Sequence, residues 1–178
     1  LMRHVISVHD FSVDEIVDVL DRAEGMVDIA RGKATSDLLR GRVLACIFFE
    51  PSTRTRLSFE TAMNRLGGGV IGFAGTDATS VVKGETLADT IRMASGYADA
   101  VVLRHPREGA AKLATEFSDV PIVNAGDGAG QHPTQTMLDL FTIRTEMGRL
   151  EGLNISLVGD LRYGRTVHSL AIASSKFG

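Results

Sequence analysis

A short segment, Glu50–Arg56 (EPSTRTR), brings three hydroxyl groups and two guanidinium groups together between an apolar run and an amphipathic stretch. The apolar run at 42–49 predicts a buried strand, and the periodicity of 53–66 predicts a helix after it. The first turn of a helix carries unpaired backbone N–H groups and the positive end of the helix dipole, both of which favour phosphate. The alternative is that one hydroxyl caps the helix while the arginines face solvent. We predict a phosphate site here, formed by Ser52, Thr53, Arg54 and Thr55.

Three more candidates follow other predicted strands. Arg104 stands at the end of a strand predicted at 100–103, which could aim its guanidinium at an anion. Pro133 fixes a helix start, so His132 is predicted to occupy the N-cap position and Gln135 to lie one turn inside the helix. These side chains should then point toward the same place as the phosphate segment. A histidine at a helix cap is otherwise usually structural.

Two further loops carry charged side chains at predicted helix starts. The long polar loop 75–86 includes Ser80 and Lys83, and an ammonium group there could close over an anionic ligand. The alternative is a lysine that only faces solvent. Arg165 begins the last predicted helix, where its planar fork of donors could bind a carboxylate through two parallel hydrogen bonds.

Apolar runs alternate with amphipathic stretches along the chain. This alternation predicts an α/β fold with a doubly wound parallel sheet and helices on both faces, because parallel strands are joined by crossover helices. Ligands of such sheets bind beyond the carboxyl ends of the strands, which is where the candidate residues lie. Strands are predicted at 42–49, 70–74, 100–103, 122–123 and 154–158. Helices are predicted at 13–31, 53–66, 86–97, 108–117, 133–147 and 165–177.

Composition excludes several classes of protein. The 178 residues carry a net charge of −3, which argues against a nucleic-acid binder. No apolar run approaches the ~20 residues that span a membrane, so no membrane partner is expected. The single cysteine, Cys46, lies inside a predicted strand as a core thiol and suits a reducing, cytoplasmic compartment. The five histidines are scattered, so no metal site is predicted, and no serine occupies a G-x-S-x-G elbow.

A phosphate site with Arg104 and His132 as further donors suits transfer of an acyl-like group from phosphate by direct attack of an amine. Such a reaction needs positioned donors and electrostatic stabilisation, without metal or covalent nucleophile. Five motifs then resemble the catalytic chain of the aspartate carbamoyltransferase family, in the family's order and at its spacings. They are FEPSTRTR (49–56), SVVKGET (80–86), RHP (104–106), HPTQ (132–135) and GDLRYGRTVHS (159–169).

The resemblance implies that the carbamoyl group of carbamoyl phosphate passes to the amine of L-aspartate, the committed step of pyrimidine biosynthesis, with no cofactor. The phosphate would be held by Ser52, Thr53, Arg54 and Thr55. The carbamoyl oxygen would be polarised by Thr55, Arg104 and His132. Gln135 would accept a hydrogen bond from the carbamoyl amino group. The implied catalytic set is Arg54, Thr55, Lys83, Arg104 and His132.

On the aspartate side, the resemblance implies that Arg165 binds a carboxylate. Ser80 and Lys83 would enter the site of a neighbouring subunit, with Lys83 also contacting aspartate, because this family shares its active site across the interface of a homotrimer. The ornithine carbamoyltransferases are the main alternative. They share the phosphate segment, but they lack the lysine of the 80–86 pattern and depart from the 159–169 pattern. A non-catalytic phosphate-binding fragment is a second alternative.

The resemblance also divides the chain into three parts. We expect a carbamoyl-phosphate domain at 1–132, an interdomain helix at 133–149, and the first strand and helix of a second α/β domain, for aspartate, at 150–178. The family's chain continues well beyond Gly178, so little turnover is expected of this chain alone. The segment 104–112 is similar to the region that contacts zinc-containing regulatory chains in allosteric assemblies, which makes a regulated assembly a hypothesis.

Overall fold

The structure is a computed structural model that describes residues 4–77 and 79–178, apart from the side chain of Arg165. Its helices are α1 (Val13–Gly25), α2 (Val27–Ala30), α3 (Thr53–Arg65), α4 (Leu87–Tyr97), α5 (Ala110–Ala114), α6 (Pro133–Met147) and α7 (Arg165–Ser175). Its strands are β1 (Val43–Phe48), β2 (Gly69–Ala74), β3 (Ala100–His105) and β4 (Ile122–Asp127). Short 3-10 turns occupy Val8–Asp10, Ser80–Lys83 and Thr115–Phe117. Within the described ranges, none of the helices has the length and apolar character needed to cross a membrane.

The strands form one parallel sheet in the order β2-β1-β3-β4. β1 lies inside the sheet, where Cys46 is opposite Gly72 on one side and Val102 on the other. The N-terminal segment adds to the far edge, because Val5 forms a parallel bridge with Val123 of β4. The predicted α/β fold with a parallel sheet is confirmed.

Side chains alternate along a strand, so each strand presents apolar side chains on both faces of the sheet. Helices cover both faces. Ala45 and Ile47 of β1 pack in a buried cluster with residues of α4 and α5, whereas Cys46 and Phe48 belong to a cluster on the other face. Burial raises the pKa of the Cys46 thiol to about 11, which agrees with the predicted core thiol. A third cluster joins the N-terminal segment to α1, α6 and α7 through Val8, Phe11, Ile16, Leu20, Leu140, Ala173 and Phe177.

Several predicted elements differ from the structure. The helix predicted at 108–117 is shorter, since α5 covers Ala110–Ala114 and a 3-10 turn follows it. The helix predicted at 13–31 is divided, since α1 ends at Gly25 and α2 begins at Val27; glycine is a poor helix former. The strand predicted at 154–158 is wrong, because these residues join no sheet in the part of the chain that the structure describes. A strand is stable only beside a hydrogen-bonding neighbour, and Val158 is almost fully exposed here.

Candidate functional site

A cavity of about 550 Å³ opens beyond the carboxyl ends of β1, β3 and β4, a usual size for a small-molecule site. Its walls come from α3, from the end of β3 and from the first turns of α6 and α7. The sequence-predicted residues that line it are Ser52, Arg54, Thr55, Arg104, His132 and Gln135. The other lining residues are Ser58, Phe59, Ala62, Thr134, Leu138 and Thr166.

The N-terminus of α3 faces this cavity. Its N-cap residue, Ser52, has an extended backbone (φ −155°, ψ 107°), and its side chain makes no capping hydrogen bond. The hydroxyl group and the N–H groups of the first turn therefore remain available to a ligand. Arg54 and Thr55 lie in the same turn and line the cavity. Hydroxyl, guanidinium and backbone N–H donors thus meet at one place, as an anion requires.

Thr53 lies on a different side of α3. It lines a second pocket, together with Pro51 and with Arg56, whose Nε is 2.6 Å from an Oε1 of Glu60. Thr53 is the first residue of α3, and it lines this second pocket rather than the cavity that Arg54 and Thr55 line. The threonine side chain therefore does not line the main cavity, in contrast to the other residues of the predicted phosphate segment.

Arg104 is fixed in place by two partners. Its Nη1 donates to the carbonyl oxygen of Ala125 at 3.1 Å, and its Nε lies 3.6 Å from an Oε2 of Glu50. Only 8% of the residue is exposed. A guanidinium stays charged at any physiological pH, and burying it is tolerable only with such partners. The orientation of this charge is therefore set by the fold before a ligand binds.

A β-bulge lies beside the cavity, where β3 and β4 run farther than predicted. Leu103 is opposite Asn124, but the next pair is His105 with Asp127, so two residues of β4 face one residue of β3. One of the two, Gly126, has a φ of +108°, which residues with a side chain rarely adopt. Bulges bend a strand and re-aim nearby groups, and they are common beside active sites.

His132 occupies the N-cap position of α6, and Pro133 begins the helix, as predicted. The histidine is buried. Its backbone N–H donates to Oγ of Ser169 in α7 at 3.4 Å, and its Nδ1 lies 3.4 Å from Oγ1 of Thr134. These contacts hold the imidazole at the cavity wall.

Gln135 lies in the first turn of α6, where its Nε2 donates to Oδ1 of Asp139 at 2.9 Å. The amide oxygen is therefore the atom of Gln135 that can accept a hydrogen bond from a ligand. Burial raises the pKa of the Asp139 carboxyl above its usual range, and the hydrogen bond from Gln135 opposes this shift.

Besides Thr53, three of the predicted residues are not shown at the cavity. Ser80 and Lys83 are the two ends of an exposed 3-10 turn after β2, and Gly84 ends this turn with a φ of +94°. The side chain of Arg165 lies outside the described residues. Its backbone begins α7, and the next residue, Thr166, lines the cavity.

Sequence reasoning missed the residues that complete the helix face in the cavity. Ser58 and Ala62 follow Arg54 at intervals of four, so the helical period places them on the same side of α3. That spacing was a usable signal. Asn124 and Asp127, which are buried beside the bulge, gave no local signal, because their contacts depend on how β3 and β4 pair.

The donor set suits an anion joined to a carbonyl group. Hydroxyls, guanidinium groups, an imidazole and backbone N–H groups are all hydrogen-bond donors, and fixed donors stabilise charge that develops in a transition state. Among the described residues, no group of three or more His, Cys, Asp or Glu side chains could hold a metal ion.

Comparison with known proteins identifies the family. The family model described as aspartate/ornithine carbamoyltransferase, carbamoyl-P binding domain, matches residues 3–145. The aspartate carbamoyltransferase catalytic subunit of Methanothrix thermoacetophila is 62% identical over 176 residues, which are 99% of this chain and 57% of that protein. The same subunit of Methanococcoides burtonii is 64% identical over 175 residues, or 98% of this chain and 56% of that protein. The chain spans a little more than half the length of these curated relatives.

Solved structures share this fold. The catalytic subunit of M. jannaschii aspartate transcarbamoylase superposes with a TM-score of 0.93 at 60% identity, covering 99% of this chain and 57% of that one. The Trypanosoma cruzi enzyme in complex with carbamoyl phosphate gives a TM-score of 0.93 at 45% identity, covering 98% and 54% of the two chains. The matched length, the identity and the shared fold lead to one conclusion: the chain belongs to the aspartate/ornithine carbamoyltransferase family.

Proposed function

We propose that this chain supplies the carbamoyl-phosphate site of an aspartate carbamoyltransferase, which transfers the carbamoyl group of carbamoyl phosphate to the amino group of L-aspartate in pyrimidine biosynthesis. The observation that carries the proposal is the cavity in which the N-terminus of α3 meets Arg104 and His132. Relatives at about 60% identity, which bear the name aspartate carbamoyltransferase catalytic subunit, support the choice of aspartate over ornithine.

In this proposal the phosphate group of the ligand binds at the N-terminus of α3. Backbone N–H groups of the first turn, Thr53 among them, and the hydroxyls of Ser52 and Thr55 donate to its oxygens, while Arg54 supplies charge-assisted hydrogen bonds. Arg104 and His132 donate to the carbamoyl oxygen, together with Thr55. The ligand is thereby held with its carbonyl carbon exposed to an incoming amine.

Catalysis would then rest on position and electrostatics. The neutral amine of aspartate attacks the carbonyl carbon, and a C–N bond forms as negative charge builds on the carbamoyl oxygen. Arg104 and His132 would stabilise this oxyanion, since the fold holds both residues at the cavity before a ligand binds. The C–O bond to phosphate breaks next, and the leaving phosphate takes up the proton that the amine loses. Gln135 orients the carbamoyl amino group through its amide oxygen.

The aspartate side of the reaction needs further groups. Arg165 would pair with a carboxylate of aspartate by two parallel hydrogen bonds. Ser80 and Lys83, which are exposed and do not line the cavity of their own chain, would enter the site of a neighbouring chain in a homotrimer. An exposed lysine on a turn between β2 and α4 is free to make such a contact.

The organisation of the chain and of its assembly belongs to the same proposal. Residues 1–132 would form the carbamoyl-phosphate domain, 133–149 the interdomain helix and 150–178 the beginning of the aspartate domain. We further propose a cytoplasmic enzyme whose segment 104–112 contacts zinc-containing regulatory chains. Mixing the trimer with such chains and measuring the mass of the product tests that contact, and absence of a complex would contradict it.

Thermal unfolding tests whether the chain binds carbamoyl phosphate. A ligand that binds only the folded state stabilises it by about 2.7 kcal/mol at 100 times its Kd. Carbamoyl phosphate should therefore raise Tm, and Arg54→Ala should abolish this rise. Arg40→Ala is the matched control, since Arg40 is exposed and outside the cavity. If carbamoyl phosphate protects no better than phosphate, the site is only a phosphate-binding module.

Substrate choice is tested in a chain extended to the length of the relatives. The proposal expects carbamoyl aspartate from carbamoyl phosphate and aspartate, and Arg54→Ala should remove this activity. Formation of citrulline from ornithine, with no carbamoyl aspartate, would assign the chain to the ornithine branch of the family instead.

A further inference from the structure

Asn124 of β4 is fully buried beside the bulge and makes hydrogen bonds with both ends of its amide. Its Oδ1 accepts from the backbone N–H of Gly126 at 2.9 Å, which also fixes the orientation of the amide. Its Nδ2 lies 3.0–3.2 Å from acceptor oxygens of Ile6, Asp127 and Gln131. One side chain therefore connects the N-terminal segment, the bulge and the loop that precedes α6.

Asp127 extends this network to the neighbouring loop. Besides Asn124, its Oδ1 accepts the backbone N–H of Gln131 at 3.2 Å, and its Oδ2 accepts the backbone N–H of Gly109 at 2.9 Å. Gly109 precedes α5, in the connection that follows β3, whereas Gln131 directly precedes His132. The buried carboxylate thus ties together the two loops that leave β3 and β4 beside the cavity.

The network reaches both donors that face the carbamoyl group in the proposed function. Asn124 holds the N–H of Gly126 in the bulge, and the adjoining carbonyl of Ala125 accepts the hydrogen bond from Arg104. Gln131 is held at its N–H by the carboxylate and at its C=O by the amide, and it is bonded to His132. Loss of a buried partner leaves polar groups unsatisfied, which favours a rearranged loop.

We propose that Asn124 and Asp127 are positioning residues for the carbamoyl end of the ligand: they set Arg104 and His132 without setting the phosphate cradle. The inference rests on the proposed function. The side-chain hydrogen bonds described for the pair join the two residues to each other and to residues 6, 109, 126 and 131, and none runs to α3 or its N-cap. Loss of the pair should therefore separate two affinities that a general loss of structure would lower together.

The test measures binding of carbamoyl phosphate and of inorganic phosphate to the 178-residue chain by isothermal titration calorimetry, below the Tm of every variant. Asn124→Leu replaces the amide by an apolar group of similar volume, and Asp127→Asn keeps only one acceptor oxygen. Ser118→Ala is the matched control: Ser118 is also buried and donates to the carbonyl of Val120 at 2.7 Å, but it lies before the amino end of β4.

We expect Asn124→Leu to lower the affinity for carbamoyl phosphate about tenfold, which corresponds to one misplaced hydrogen bond to a charged group. Phosphate affinity should stay within about twofold, since the N-terminus of α3 is unchanged. Asp127→Asn should show the same split with a smaller loss. Ser118→Ala should lower Tm and leave both affinities unchanged.

Each result decides between the proposals. The positioning role is overturned if a folded variant loses affinity for carbamoyl phosphate and for phosphate equally. It is also overturned if the affinity for carbamoyl phosphate is unchanged. If Asn124→Leu does not fold, Asp127→Asn alone decides by the same criterion. If the unsubstituted chain binds carbamoyl phosphate no more tightly than phosphate, the proposed function fails before any variant is compared, and this inference fails with it.

Discussion

Arg104 and Ala125 are joined across the β-bulge between β3 and β4, where Nη1 of the arginine donates to the carbonyl oxygen of the alanine at 3.1 Å. Besides the flexible side chain of Glu50, the arginine therefore has a backbone carbonyl group as a partner. A rigid acceptor fixes the plane of the guanidinium, and that plane determines which of its N–H groups can reach a ligand. The bulge therefore connects the pairing of two strands to the geometry of the cavity.

Replacing Arg104 by lysine tests whether this plane matters. Lysine keeps the positive charge but is a point donor without a fork, so it cannot bind the Ala125 carbonyl and a ligand in the same fixed geometry. We expect carbamoyl phosphate to bind about tenfold more weakly to Arg104→Lys. Calorimetric titration measures the effect, and Arg92→Lys on α4 is the control, because Arg92 is exposed and does not line the cavity. Full retention of affinity would mean that only the charge of Arg104 is used.

Local sequence patterns predicted much of the sheet and much of the cavity. A buried strand followed directly by hydroxyls and arginines at a helix start identified Ser52 and Arg54, since strand, cap and helix are neighbours in sequence. Pro133 identified His132 for the same reason. In contrast, Thr53 was assigned to the phosphate site with its neighbours, although the residue lines another pocket.

Local patterns could not predict features that depend on pairing between strands far apart in the sequence. The bulge arises because β4 contributes two residues opposite one of β3, and Asn124 and Asp127 derive their importance from that register. The apolar run 154–158 has the composition of a strand, but composition does not supply the neighbour that a strand requires. Gly25 divides the first predicted helix even though the apolar period continues past it.

Gly72, in the edge strand β2, has a backbone conformation and surroundings that exclude a side chain. Its φ is +140°, and a Cβ built there would clash with the carbonyl oxygen of Cys46 in the paired strand. We expect Gly72→Ala to lower the free energy of unfolding by about 3 kcal/mol. Gly69→Ala is the matched control in the same strand, because among the described residues its Cβ would have only the Arg42 carbonyl oxygen within 4 Å, at 3.9 Å. Urea unfolding that shows equal losses for the two variants would contradict this.

Leu140 on α6 helps to hold α6, α7 and the N-terminal segment together. It is 1% exposed and belongs to the cluster that these elements share, whereas Leu138 on the same helix is 56% exposed. Leu140→Ala should cost about 2–5 kcal/mol, since it removes buried methyl groups and leaves a cavity. Leu138→Ala should change stability by less than about 0.5 kcal/mol. The midpoints of urea unfolding report both values, and similar midpoints for the two variants would refute the assignment.

His4 provides a pH-dependent contact at the other edge of the sheet. Its Nδ1 accepts the backbone N–H of Ile122 at 3.1 Å, next to the bridge between Val5 and Val123. Burial, and then the charge of Lys112, lower the pKa of His4 below its usual value of 6.5. The folded chain therefore favours the neutral imidazole, and protonation of Nδ1 would remove the acceptor.

The sign of the pH effect follows from this shift. Because the folded pKa lies below the unfolded one, the contribution of His4 to stability is complete above about pH 6.5 and is lost as the pH falls through the lower folded pKa. His4→Asn offers a carbonyl oxygen near the position of Nδ1 and does not titrate. We expect Tm of the wild type and the variant to agree at pH 7.5, and the wild type to fall below the variant at pH 5. Other groups titrate in both proteins, so they cancel in the difference; a difference in Tm that is constant from pH 7.5 to 5 would show that the Nδ1 contact does not contribute.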